Sequence, residues 1–298
     1  IGGWFLTAGV AFIGAGIIVT AMHFGGAWAM FALAVVTIIV IIRSNRRFRS
    51  KSEDESGETV FNAIISSKDD TNVWPMVELY VVGNQRKFMD VAEEAYRVTT
   101  QAFIKEDIRA LDKTERTLQK QKSVLKNARR RETLCMRHVN RATAIEKNTW
   151  FHLSNNCCMS VLYNLRRINE ICKEHVENNF RPLPTQYLEN YEVLRTRIST
   201  LFNDIKELID SGDEETVPTL RRHCEDIKNF ASDSYHGLYM QLHDGDTATI
   251  TVLYVYLNLL QETREMVSTI RKYLRAYAKL RNTDFSDRLL PYPTEVAG

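Results

Sequence analysis

Apolar positions follow two regimes along this chain. From Ile1 to Ile42 there is no Asp, Glu, Lys or Arg, and His23 is the one side chain with a charge to gain. The run splits at Met22-His23-Phe24-Gly25-Gly26 into two apolar segments, Gly3 to Ala21 and Ala27 to Ile42. At about 1.5 Å per residue, each is close to the roughly 20 residues that cross about 30 Å of hydrocarbon, so the pattern predicts a transmembrane helical hairpin. A signal peptide fits poorly, because no basic stretch precedes the run and no cleavage-like site follows it. Ala8, Gly9, Ala11, Gly14, Ala15 and Gly16 make the first segment suited to close helix packing. Arg43, Arg46, Arg47, Arg49 and Lys51 follow the second segment, and by the positive-inside rule that end and all that follows it is cytoplasmic. The chain opens on Ile1 rather than Met, and we expect it to be the end of a longer protein.

Beyond a polar linker at Ser50 to Asn72 the period changes to that of amphipathic helices. Trp74-Pro75 suits a helix start, with Pro near the first helical position. Phe88, Ala92, Ala95, Val98 or Thr99, and Ala102 then form one face. Leu111, Leu118 and Leu125 recur every seven residues through a highly charged stretch, the narrow seam of a long helix. A third helix is expected from Leu134 to Asn178, with Trp150, Leu153, Cys157, Val161, Leu165 and Ile168 in its stripe, and Pro182 and Pro184 end it.

Tyr187, Tyr191, Leu194, Ile198, Leu201, Ile205 and Leu208 predict a fourth helix that stops at Ser211-Gly212. Asp213 offers an N-cap for the next, with Glu214 and Glu215 at the positive end of its dipole. That helix runs through Leu220, Cys224, Ile227, Ala231, Tyr235 and Leu238 to a turn at Asp244-Gly245. The last carries Leu253, Tyr256, Leu260, Thr263, Val267, Ile270, Leu274 and Tyr277. Strand signals are almost absent. The expected class is all-α: a membrane hairpin at 1–42, a basic flank and linker at 43–73, an antiparallel bundle of about six long helices at 74–281, and a tail at 282–298.

Charge adds little to this picture. The 298 residues carry 39 Lys and Arg against 37 Asp and Glu, a net +2, which argues against a nucleic-acid partner read through a dominant positive field. Cys135, Cys157, Cys158, Cys172 and Cys224 have neither the count nor the spacing of a disulfide framework or a zinc site, and free thiols are expected. No nucleophile motif, phosphate-cradling glycine loop or HExxH occurs, so the chain does not read as an enzyme.

Three groups of polar residues remain as candidates. Asn148, His152 and Asn155 (or Asn156) share a helix face beside Glu146, an arrangement that could hold a metal or anion with His152 as ligand, although such a face is more often a hydrogen-bonded contact between helices. Asp90 and Glu94 lie one turn apart, and Asp226 and Asp233 two turns apart; such carboxylates build an oxygen-ligand divalent-metal site in a bundle or simply face solvent. Two basic runs, one including Arg129, Arg130 and Arg131 and the other Arg271 and Arg275, could touch anionic lipid or a neighbouring membrane domain, or be solvated helix faces.

Gly3-Trp4-Phe5-Leu6-Thr7 resembles the Trp-x-x-Thr opening of a late transmembrane helix of PiT-type inorganic phosphate transporters, and Ile42-Arg43-Ser44-Asn45-Arg46-Arg47 resembles its exit. Ala144-Ile145-Glu146-Lys147-Asn148-Thr149-Trp150-Phe151-His152-Leu153 and Tyr256-Leu257-Asn258-Leu259-Leu260-Gln261-Glu262-Thr263 are similar to segments of the PhoU-like cytoplasmic domain found in Bacteroidetes-like members. The resemblance implies the last two transmembrane helices of a phosphate transporter in the bacterial cytoplasmic membrane, coupled to Na+ or H+, with a PhoU-like bundle that regulates it. Inorganic phosphate and the lipid bilayer are the implied partners, and a homodimer is compatible with it. The family's Gly-Ala-Asn-Asp-type phosphate motifs do not occur in this chain, and Asp90-x-x-x-Glu94 only approximates the Glu/Asp-x-x-x-Asp metal motif of PhoU proteins. A membrane-anchored helical signalling or scaffold protein is the alternative.

Overall fold

The structure is a computed structural model, and it describes residue 12, residues 57–67, 73–241 and 247–281. Apart from Phe12, the predicted membrane hairpin lies outside the described residues, as do most of the basic flank and the tail. Among those that are described, no helix is long and apolar enough to cross a membrane. The chain divides into two compact units, Ile1–Val60 and Phe61–Gly298.

The second unit is all-helical. Helical backbone at 57–66 (α1) leads into α2 (Val73–Ile104), α3 (Ile108–Met136), α4 (Arg141–Glu177), α5 (Thr185–Ser211), a 3₁₀ turn at Glu214–Thr216, α6 (Val217–Gln241) and α7 (Thr247–Arg281). The Pro182/Pro184 break therefore divides three long helices from three more, as expected. The helix junctions are chemically specified. Asp107 caps α3 by accepting from the Ala110 N–H, and Asn140 caps α4 by accepting from Thr143 N–H. Gly212 ends α5 in the left-handed region, at φ +71°, which a Cβ would resist. Asp213 caps the 3₁₀ turn through Glu215 N–H.

One boundary differs from expectation. The stretch from Leu134 to Asn178 is not one helix: α3 continues through Leu134 to Met136, a turn occupies residues 137–140, and α4 starts at Arg141. No Gly or Pro marks that turn; Asn140, with its side chain turned onto the following helix, is the local signal.

Helices α2, α3 and α4 pack pairwise, α6 packs between α5 and α7, and the two halves join along α4/α7 and α2/α5. Side-chain bonds fix the register. Gln85–Ser154 and Thr99–Asn169 are separated by 69 and 70 residues, so α2 and α4 run parallel. Lys173 on α4 meets Asp112 and Glu115 on α3 at 2.8 and 2.9 Å, and Arg86 on α2 makes a forked bond to Asp210 at the end of α5, so these pairs are antiparallel. The predicted seams are the core: Phe88, Ala92, Ala95, Thr99 and Ala102 of α2 are buried, as are Leu253 to Tyr277 at their heptad positions in α7. Apolar burial of that extent supplies most of the free energy that favours the fold.

Candidate functional site

The α3 seam holds the least expected residue of the molecule. Leu111, Leu118 and Leu125 continue by one more step of seven to Glu132, which is only 2% exposed. A carboxylate enclosed in this way must be bonded or neutral. Both of its oxygens accept amide donors: Asn84 Nδ2 on α2 reaches Oε1 at 2.8 Å, and Asn155 Nδ2 on α4 reaches Oε2 at 2.9 Å. Burial outweighs these bonds and the nearby Arg129, and pushes the Glu132 carboxyl up to about 7.

A second chain of bonds lies alongside. Tyr273 of α7 donates to Gln85 Oε1 at 3.1 Å, Gln85 Nε2 donates to Ser154 Oγ at 3.0 Å, and Ser154 donates to the Phe151 carbonyl. Asn84, Gln85, Leu125, Arg129, Glu132 and Asn155 line a narrow cleft with about 10 Å³ of water-accessible space, roughly one water molecule. Three helices thus converge on one titratable group, α2 through Asn84, α3 through Glu132 itself and α4 through Asn155, while α7 reaches the neighbouring chain of bonds through Tyr273. The chemistry available there is the gain and loss of a proton near neutral pH. Cys135 and Cys158, which feel the Glu132 charge, are pushed up by burial, Cys135 to about 11, and are poor thiolates. All five cysteines are free and buried.

The Asn148/His152/Asn155 face is divided by this packing. Asn155 is buried and bonded to Glu132, His152 is half-buried, and Asn148 is exposed. The buried stripe of α4 is Lys147, Phe151, Ser154 and Cys158, so the three residues lie on its flank, and only Asn155 lies level with Glu132. Trp150 and Leu153, expected in the apolar stripe, are half-buried at its other edge. Glu146 is a counter-ion, 3.3 Å from the buried Lys147 ammonium, which also donates to the Lys279 carbonyl.

The Asp90/Glu94 pair is engaged by cations. Asp90 pairs with Arg86 at 2.5 Å and with Lys206 at 3.7 Å, and Glu94 pairs with Arg97. Asp226 lines a groove between α5 and α6 with Asp204 and His223. Among the described residues no three His, Cys, Asp or Glu side chains gather as a metal-binding set. The basic residues also divide. Arg129, Arg130 and Arg131 are exposed on α3, Arg131 over the Phe61 ring, whereas Arg271 pairs with Glu225 of α6 at 3.1 Å and Arg275 lies over Trp150 of α4.

At the far end of the bundle, His175 is 2% exposed, edge-on to Phe103 at 5.0 Å and to Phe180 at 5.7 Å. Burial holds its imidazole below the usual range. Its signal in sequence is its place one turn beyond Cys172 in the α4 stripe. No family model matches the chain, and no curated protein matches it.

Proposed function

We propose that this chain is the C-terminal portion of a cation-coupled inorganic phosphate transporter of the PiT type, with residues 1–42 as its last two transmembrane helices and the bundle as a PhoU-like regulatory domain in the bacterial cytoplasm. The observation that carries the reading is the placement of the two soluble segments with the family likeness. Ala144–Leu153 lies on α4 and Tyr256–Thr263 on α7, the two helices that join the halves. Lys147 and Phe151 from the first, and Tyr256, Leu260 and Thr263 from the second, are buried. Glu262 is held there by Asn164 and Arg167 of α4 at 3.3 and 3.2 Å.

The charge-free run at 1–42 and its basic exit supply the membrane half of the reading. Regulation then proceeds by docking of the bundle under the transport core, biasing inward-open against closed states by a coupling of about 1 to 3 kcal/mol. Phosphate and the coupling ion, Na+ or H+, are bound upstream of this sequence, and inorganic phosphate is the transported substrate.

The competing reading is a membrane-anchored helical scaffold without transport activity. The upstream reading frame separates the two. About eight further apolar segments with Gly-Asn-Asp-type motifs support the transporter, and a hairpin standing alone at the start of the protein contradicts it.

A further inference from the structure

Resting on the reading of residues 1–42 as membrane-embedded, we infer that one end of the bundle, at the starts of α2 and α4 and the end of α3, docks on an anionic lipid surface. The constant offset between α2 and α4 sets Ile145 level with Met76 and Leu79 level with Asn148. The Asn84–Glu132 bond sets Leu134 a few residues away along the same axis. Met76, Leu79, Leu134 and Ile145 are large apolar side chains left exposed at this end, with Leu79 and Ile145 at 70% and 69%.

Cations accompany them at helical spacing. Arg130, Leu134 and Arg137 follow one another at intervals of four and three, on the solvent side of α3 and the turn after it, and Arg141 and Ile145 share a stripe of α4. Arg130, Arg137 and Arg141 are exposed and form no ion pair among the described residues. Bulky apolar groups interleaved with unpaired arginines suit the boundary between headgroups and acyl chains. There the apolar groups bury surface and the guanidinium groups meet phosphate.

The tether delivers the same end. Phe61 packs 6.3 Å from the Tyr80 ring with Arg131 above it, and Ile64 is fully buried, so the chain enters the bundle here. Residues 43–56 lie between the apolar run and the helical backbone that begins at residue 57, a span of at most about 50 Å at full extension. A lipid surface is thereby within reach of this end.

The test uses the full chain reconstituted in vesicles of neutral lipid, and in vesicles with about one third anionic lipid, with a nitroxide on Ile145→Cys and a control on Val193→Cys. Val193 is exposed on α5, near the level of Arg195, which bonds Gln101 at the opposite end of α2. Docking predicts that anionic lipid lowers collision of the Ile145→Cys label with a water-soluble relaxant severalfold and leaves the control unchanged.

Salt at roughly 1 M, where the screening length is about 3 Å, restores access. So does the triple reversal Arg130→Glu, Arg137→Glu, Arg141→Glu, since each basic group strengthens association with such a surface about fivefold. Equal access in both lipids, in vesicles with which the chain co-floats, overturns the docking and leaves the membrane reading standing. Protection that is equal in both lipids and insensitive to salt means that protein covers this end, and also overturns it. A chain that fails to float with either vesicle removes the membrane reading and the docking together.

Discussion

Asn155 of α4 donates to Glu132 of α3 at 2.9 Å in a setting where neither is more than 8% exposed. Asn84 bonds the other carboxylate oxygen from α2, so one acidic side chain ties three helices of the first half together. Truncating Asn155 to Ala would strand a buried carboxylate oxygen, at a cost of about 1 to 3 kcal/mol. Chemical denaturation of Asn155→Ala should show that loss, and Asn148→Ala, at an exposed position of the same helix, should change little.

The same centre should make stability depend on pH. The Glu132 carboxyl rests near 7 in the folded chain against an ordinary 4.5, so between these values the folded state holds the proton more firmly than the unfolded state. Its contribution is therefore fully present below about pH 4.5 and is lost as pH rises through 7. Glu132→Gln removes the titration. Relative to that variant, the parent should lose up to about 3 kcal/mol between pH 5 and 8. Parallel stability curves for the two proteins would show that Glu132 stays ionised throughout.

His175 should act with the opposite sign. Its folded-state value is held below 6.5 by burial between Phe103 and Phe180, with Glu106 pulling the other way. The contribution is present above pH 6.5 and is lost as pH falls through the depressed value. His175→Phe keeps the aromatic contact. It should flatten the acid limb of the stability curve and leave the limb set by Glu132 in place.

Gly212 offers a backbone test. It adopts φ +71°, and a Cβ there would lie 3.1 Å from Arg281 Nη2, whose guanidinium pairs with Glu78 and Glu214 at 3.5 Å. Gly212→Ala should cost about 1 to 2 kcal/mol from the left-handed conformation alone. Gly237, whose added Cβ meets nothing within 4 Å, should tolerate the same change.

Most of the helices were legible because their seams are regular. Tyr187 to Leu208 and Leu253 to Tyr277 keep a 4-3 spacing that points one face inward, and those residues are buried at 9% or less. The turn after Met136 was not legible, since it lacks the Gly or Pro that usually punctuates a chain, and its capping asparagine stands alone between Val139 and Arg141. Glu132 escaped notice for a related reason. It follows three consecutive arginines, so it reads as part of a solvated run, although its place seven residues after Leu125 was the available signal. His152 and Asn148 share a face with Asn155 in projection, but the packing separates them: Asn155 is bonded to Glu132, His152 is half-buried and Asn148 is exposed.

The proposal that this chain is the regulatory end of a phosphate transporter has a direct test. The most direct measurement is phosphate uptake into proteoliposomes by the full-length protein, with and without residues 61–298. A regulatory role for the bundle leads to gradient-driven uptake by both, with the response to phosphate supply lost from the shortened form. An absence of phosphate uptake by well-folded full-length protein would contradict it.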